Sequence, residues 1–159
     1  MKITKMSVMV LMLGLFLGSC AKEEEMAAAT PTLYARLGGV DAISAVVDEF
    51  IGRVAANPDM ARTFKPLLDE VGAQGASSPK LISLRNNLID QIGEASGGPQ
   101  KYKGKDMVTA HKGMNITTVE FNSLAGNLSG ALDKFSVPTA EKTELLTVIA
   151  SLQPMIVGK

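Results

Sequence analysis

Tyr102-Lys103-Gly104-Lys105-Asp106-Met107-Val108-Thr109-Ala110-His111-Lys112-Gly113-Met114 carries the only histidine in the chain. A Gly97-Gly98-Pro99 break precedes it, and an apolar helical pattern follows it. Met107 lies one helical turn before His111, and Gly113 and Asn115 interrupt the pattern soon after, so the spacing predicts a short helix ending just past the histidine. One imidazole can serve one task. The segments around it decide which tasks are open.

Outward from this stretch the periodicity is helical on both sides. Thr117 with Glu120 makes a capping box for a helix that buries Phe121, Leu124, Leu128, Ala131 and Leu132. Pro138 opens the last helix, where its missing N–H is harmless, and Leu145, Val148, Ile149 and Leu152 form its inner stripe. On the N-terminal side, Leu81, Leu84, Leu88 and Ile92 share one face of a helix that starts near Lys80 and stops at Gly97-Gly98-Pro99. Residues 65–79 are less regular: Leu67, Leu68 and Val71 suit a single turn, and Gly72 to Pro79 reads as a flexible loop. Met60 to Phe64 fits a short helical turn after the Asn57-Pro58-Asp59 break. Before that break, Asp41 caps a longer helix with Ile43, Val46, Val47, Phe50, Ile51 and Val54 as its apolar stripe. Leu33 to Leu37 makes one or two turns, capped by Thr30 or Thr32 and stopped by Gly38-Gly39. No alternating strand pattern competes and no internal repeat is visible. The fold class is all-α.

The totals agree. The chain has 159 residues, 46% hydrophobic but only 4% aromatic, with no formal net charge. That length supports one domain of ordinary size with a real core. Zero net charge gives no electrostatic case for nucleic acid as a partner, since counterion displacement needs a basic face. A single cysteine excludes an intrachain disulfide and any multi-cysteine zinc or iron–sulfur site.

Residues 1–19 read as a targeting segment: Lys2 and Lys5 form a basic start, and Met6 to Leu17 is an uncharged apolar run. A permanent span needs about 20 apolar residues, so this run is short for one. It ends in Leu17-Gly18-Ser19-Cys20, which resembles the lipobox of bacterial lipoproteins. The resemblance implies cleavage before Cys20, lipidation of that cysteine and a membrane anchor; a plain secretory signal or an uncleaved anchor is the alternative. Residues 20–31, with Glu23-Glu24-Glu25, read as a tether, and 32–159 as the folded domain. By the same resemblance, Ala21 after the cysteine implies a cell-envelope location, on the periplasmic side of the outer membrane.

A Ser-His-Asp or Cys-His hydrolase is poorly supported, because Cys20 is committed to the anchor and no nucleophile stands in a strand–turn–helix context. A multi-histidine metal site is impossible, and no spaced carboxylate cluster suggests calcium or iron. Haem is different: it brings four equatorial nitrogens and asks the protein for one axial ligand and an apolar slot. The bland alternative is a helix-surface histidine without a ligand.

Several motifs in order favour haem. Leu33-Tyr34-Ala35-Arg36-Leu37-Gly38-Gly39, Val46-Val47-Asp48-Glu49-Phe50, Arg53-Val54 and Asn57-Pro58 resemble the opening of the group 1 truncated haemoglobins. Gly97-Gly98-Pro99 with Tyr102 and Gly104, then His111 to Thr117, resemble the segment carrying their proximal histidine, and Phe121, Val137-Pro138 and Val148-Ile149-Ala150 continue the likeness to about Ile156. The resemblance implies a two-over-two helical sandwich around haem b, with His111 as proximal iron ligand. Phe64 then packs on the haem face. Tyr102, Met107 and Met114 join the cofactor-binding set, the two methionines walling the proximal side.

The departures from that family bear on mechanism. After Phe50 the family usually has a tyrosine whose hydroxyl donates to the bound gas; here that position is Ile51. The positions that often hold distal polar groups are Leu84 and Leu88. Phe50, Ile51, Leu84 and Leu88 therefore predict an apolar distal pocket; periodicity puts Leu84 and Leu88 inward, with Asn86 or Asn87 as the alternative that swings in. The link over residues 65–79 is longer than the family's usual connection. The implied function is binding of oxygen, carbon monoxide or nitric oxide rather than turnover, with a redox partner the sequence does not identify. Two alternatives remain in view: a haem-free lipoprotein using the fold as an interaction module, and a haem-dependent redox enzyme such as a nitric oxide dioxygenase. Lys80, Arg85, Lys103, Lys105 and Lys112 are the basic residues expected near the pocket rim.

Overall fold

The computed structural model describes residues 30–159. The targeting segment, Cys20 and the tether up to residue 29 lie outside the described residues. Helix α1 (Leu33–Arg36) is opened by Thr32, whose Oγ1 accepts from the Ala35 amide at 3.3 Å. The chain then turns at Gly38, with φ 93°, where a Cβ would stand 2.9 Å from the Ala42 Cβ. Glycine alone tolerates both conditions. Helix α2 (Gly39–Ala56) follows at once, so Asp41 is not its cap as expected. Gly38 takes that position without a side-chain bond, and Asp41 lies in the first turn, where a carboxylate still favours the helix dipole.

After a 3-10 turn over Pro58–Met60, α3 spans Ala61–Gln74. This corrects the expected irregular segment: the helix runs straight through Pro66 and Gly72. Phe64, Leu67, Leu68 and Val71 recur at helical spacing and line one cavity wall, while Lys65 and Asp69 pair at 2.9 Å one turn apart. The expected loop shrinks to the 3-10 turn Gly75–Ser77 before α4 (Pro79–Ala95). A side-chain clip explains it. Buried Ser78 accepts from the Leu81 amide at 3.2 Å and donates to Glu70 at 2.7 Å. Glu70 also accepts from the Lys80 amide at 3.0 Å and pairs with the Lys80 ammonium at 2.8 Å.

The rest follows the sequence closely. Helix α5 (Met107–His111) is capped by Asp106, and Gly113 and Asn115 then take left-handed backbone, φ 80° and 48°. Both halves of the Thr117–Glu120 capping box open α6 (Thr118–Lys134). Pro138 is the cap residue of α7 (Thr139–Ser151), which is followed by one further short helix, α8 (Gln153–Ile156). Among the described residues there is no strand, only a single parallel bridge between Ile116 and Val157. No helix there is long and apolar enough to cross a membrane.

The layers are two antiparallel pairs. Asp48 of α2 meets Arg85 of α4 at 2.5 and 2.9 Å. Ile43 and Val46, earlier in α2, meet Ile92, later in α4. In the second pair, Leu132 of α6 meets Leu145 of α7, and Phe121 at the start of α6 meets Ile156 of α8. Helix α2 lies against α6 across the layers, giving the two-over-two arrangement. Ile43, Val46, Val47, Phe50, Val54, Leu128, Ala131, Leu132 and Leu145 are buried in the main core, and Ile116, Phe121 and Ile156 form a smaller one. Two stripes differ from expectation. On α4 the buried side chains are Ile89 and Ile92, beside buried Gly93, while Leu84 and Leu88 are only half-buried. On α7, Leu146 rather than Val148 joins Leu145 and Ile149 in the main core.

Candidate functional site

The α5 turn sets the chemistry of His111. Its Nδ1 lies 2.7 Å from the Met107 carbonyl oxygen, four residues back. A carbonyl can only accept, so Nδ1 carries the ring proton and donates it. Nε2 then keeps a free lone pair, and the ring makes no other hydrogen bond among the described residues.

His111 borders three adjoining cavities of about 290, 200 and 100 Å³, and Leu88 and Leu124 border all three with it. Together they fall in the range of roughly 300–1,000 Å³ common for cofactor sites. The largest is lined by Phe64, Leu84, Leu88, Tyr102, Met107, His111 and Met114, so the structure brings all the expected cofactor-binding residues together. The second gathers Phe50, Ile51, Leu84 and Leu88 with Leu67, Leu68 and Val71 of α3. Apart from His111, every side chain lining it is apolar.

Polar residues also line the largest cavity: Asn87, and three that the sequence did not place there, Thr63, Gln91 and Glu120. Of the two asparagines weighed as swinging in, Asn87 is the one that lines the cavity. The signal was present, because Leu84, Asn87, Leu88 and Gln91 sit at i, i+3, i+4 and i+7 of one helical face. Gln91 Nε2 lies 3.3 Å from the Met107 sulfur, and the Tyr102 hydroxyl donates to the Lys105 carbonyl at 2.7 Å. Burial, helped by the Asp106 charge, pushes the Tyr102 phenol above its ordinary value. Of the basic residues expected at the rim, none lines these cavities; Lys80 is tied to Glu70 and Arg85 to Asp48.

At the cavity floor Glu120 collects five hydrogen bonds. Arg62 donates from Nε at 2.7 Å and Nη2 at 2.6 Å, Thr63 from its hydroxyl at 3.0 Å, and Thr117 from its amide at 2.9 Å and hydroxyl at 2.8 Å. The Arg62 guanidinium first, then Thr117, holds this carboxyl far below the usual range.

Residues 32–157 match the bacterial-like globins. The chain belongs to that family. Within it, this globin falls with the group 1 truncated haemoglobins. It is 31% identical over 125 residues to one from Mycolicibacterium paratuberculosis, covering 79% of this chain and 83% of that protein. The crystal structure of the Tetrahymena pyriformis truncated haemoglobin in its Fe(III) form superposes with a TM-score of 0.69 at 30% identity, over 81% of this chain and 100% of that one. The 2/2 haemoglobin of Synechococcus, in the cyanomet state with covalently attached haem, gives 0.63 at 26% identity, over 77% and 94%.

Haem b is the cofactor of this family, and the residues present fit it. Among the described residues no three His, Cys, Asp or Glu side chains cluster to hold a bare metal ion. A single free imidazole nitrogen beside a largely apolar slot is instead the donor set a tetrapyrrole needs. The carbonyl behind Nδ1 fixes the tautomer and makes Nε2 a better donor.

Proposed function

We propose that His111 Nε2 would hold haem b in this globin and that the group would bind oxygen, carbon monoxide or nitric oxide. When bound, haem supplies an iron that takes a diatomic gas. The observation carrying the reading is the Nδ1–H bond to Met107, which leaves Nε2 free at the point where all three cavities meet. Met107 and Met114 would border the group beside His111, and Phe64 would pack against it. Phe50, Ile51, Leu84 and Leu88 enclose the gas side, where they exclude water and offer no hydrogen-bond donor. A bound gas that gathers negative charge gains nothing from them, so oxygen is held less well than a donor would hold it, and carbon monoxide is affected less.

The same reading tethers the globin to the cell envelope by acyl chains on Cys20, which stands after Leu17-Gly18-Ser19 in a lipobox-like sequence. Each buried methylene contributes about 0.8 kcal/mol to such an anchor. Radiolabelled palmitate incorporated by the parent and lost in Cys20→Ser tests the anchor. Label retained in the variant contradicts it.

Absorption spectra of the oxidised, reduced and carbon monoxide forms test the haem site. The parent takes up haemin and shows an intense Soret band, and His111→Ala loses or badly weakens it. An undiminished band in that variant removes His111 from the iron, and a parent that takes up no haemin leaves the fold serving as a haem-free module.

A further inference from the structure

We propose that Arg62 is a positioning residue that fixes the axial histidine by clamping the backbone behind it. The inference rests on the reading of His111 as the iron ligand. Arg62 lies in the first turn of α3, 52 residues before Met114 in the chain, yet it reaches the segment that follows His111. Its Nη1 donates to the Met114 carbonyl at 3.1 Å and its Nη2 to the Asn115 carbonyl at 3.2 Å. The Met114 amide in turn donates to the His111 carbonyl at 3.0 Å, so two hydrogen bonds join the guanidinium to the ligand's own backbone.

A single exposed ion pair would contribute little, and Arg62 is 55% exposed. This one is not single. Glu120, only 12% exposed, holds the guanidinium fork in both its oxygens while its other contacts lock Thr117. The Asn115 amide is bound from behind by the Lys159 carbonyl, and the Gly158 amide donates to Ile116. Residues 114–117, which include left-handed Asn115, are thus held between α3 and the C-terminus. Without the clamp, that strained turn is free to relax, and the imidazole with it. The same residue ties α3, which carries Phe64, to the histidine side.

The test compares the parent with Arg62→Ala and Arg62→Lys. Arg36→Ala is the control, because Arg36 bonds Glu141, Glu144 and the Pro31 carbonyl in a comparable network at α1 and α7. Two readouts are taken: amide hydrogen exchange at Met114 in the haem-free chain, and the iron–histidine stretching band of the reduced, haem-loaded chain by resonance Raman. Arg62→Ala is expected to speed Met114 exchange about tenfold and to shift or broaden the band. Arg62→Lys restores part of both, and Arg36→Ala changes neither. Unchanged Met114 exchange in Arg62→Ala, or equal effects from Arg36→Ala, overturns the clamp. A parent that takes up no haem overturns the ligand reading itself, whereas a haem-loaded Arg62→Ala chain with the parent's band overturns only the positioning role.

Discussion

Helices α2 and α3 follow one another in the chain and carry apolar residues at the same spacing, yet they are buried very differently. Ile43, Val46, Val47, Phe50 and Val54 of α2 are all buried, whereas α3, with Phe64, Leu67, Leu68 and Val71, buries none of its residues. The α2 stripe meets α4 and α6 and closes into a dense core. The α3 stripe faces a cavity that also borders His111. Spacing therefore decides which face of a helix turns inward, but not what that face meets. The start of α2, through Val47, is scaffold alone, its later residues Phe50, Ile51 and Val54 serve core and cavity both, and α3 with α5 is shaped around a ligand-sized space.

Truncating each half separates them most strongly. Leu132→Ala, at a side chain 1% exposed in the scaffold, should lower the unfolding free energy by about 2–5 kcal/mol in a denaturant titration. Leu68→Ala, on the cavity wall, should lower it by less than about 1 kcal/mol in the haem-free chain, because its neighbours are already incomplete. Equal losses would mean that α3 is packed as α2 is.

The next effect lies on the gas side. Ile51→Tyr adds a hydroxyl to the apolar wall, and one neutral hydrogen bond of about 1 kcal/mol slows oxygen release about fivefold in stopped-flow measurements. Carbon monoxide release should change less. An unaltered oxygen rate would show that a donor already serves, and Asn87 is the polar residue of α4 nearest to that role.

The smallest effect is confined to acid. The Lys80 ammonium and amide and the Ser78 hydroxyl hold Glu70 at about 2, against an ordinary 4.5. A depressed carboxyl stabilises the fold fully above its ordinary value and loses that contribution as pH falls towards the folded one. The Glu70 clip at the α3–α4 turn should therefore weaken between about pH 4.5 and 2. Melting temperature followed across that window should fall less steeply in Glu70→Gln than in the parent; parallel curves would leave the clip without weight. The Glu120 hub, depressed further, begins to lose its contribution in the same window and finishes losing it at still lower pH.

Much of this was legible in the sequence because it depends on local rules. The Thr117–Glu120 box, the Gly38 turn, the short helix ending at His111 and the α2 stripe follow from capping and periodicity alone. The course of residues 65–79 did not, because Gly and Ser composition hides a clip made by Glu70, Ser78 and Lys80 across eight to ten residues. Ile89 and Leu146 joined the core unforeseen, since packing against another layer shifts a stripe by one position. At the site, the expected apolar and aromatic residues do surround His111. The polar residues Thr63, Gln91 and Glu120 were missed because a polar side chain carries no inward signal until its surroundings are known. Arg62 was the least visible, acting over more than fifty residues of sequence through backbone carbonyls.

Hydrogen exchange across the whole chain, before and after one equivalent of haemin, tests the division of the molecule most directly. Haemin should slow exchange most in α3, α4 and α5, which line the cavities together with Phe50, Ile51 and Leu124, and change it least around Val47, Ala131 and Leu132, which line none of them. Uniform slowing throughout, or none at α5 around His111, would contradict the account.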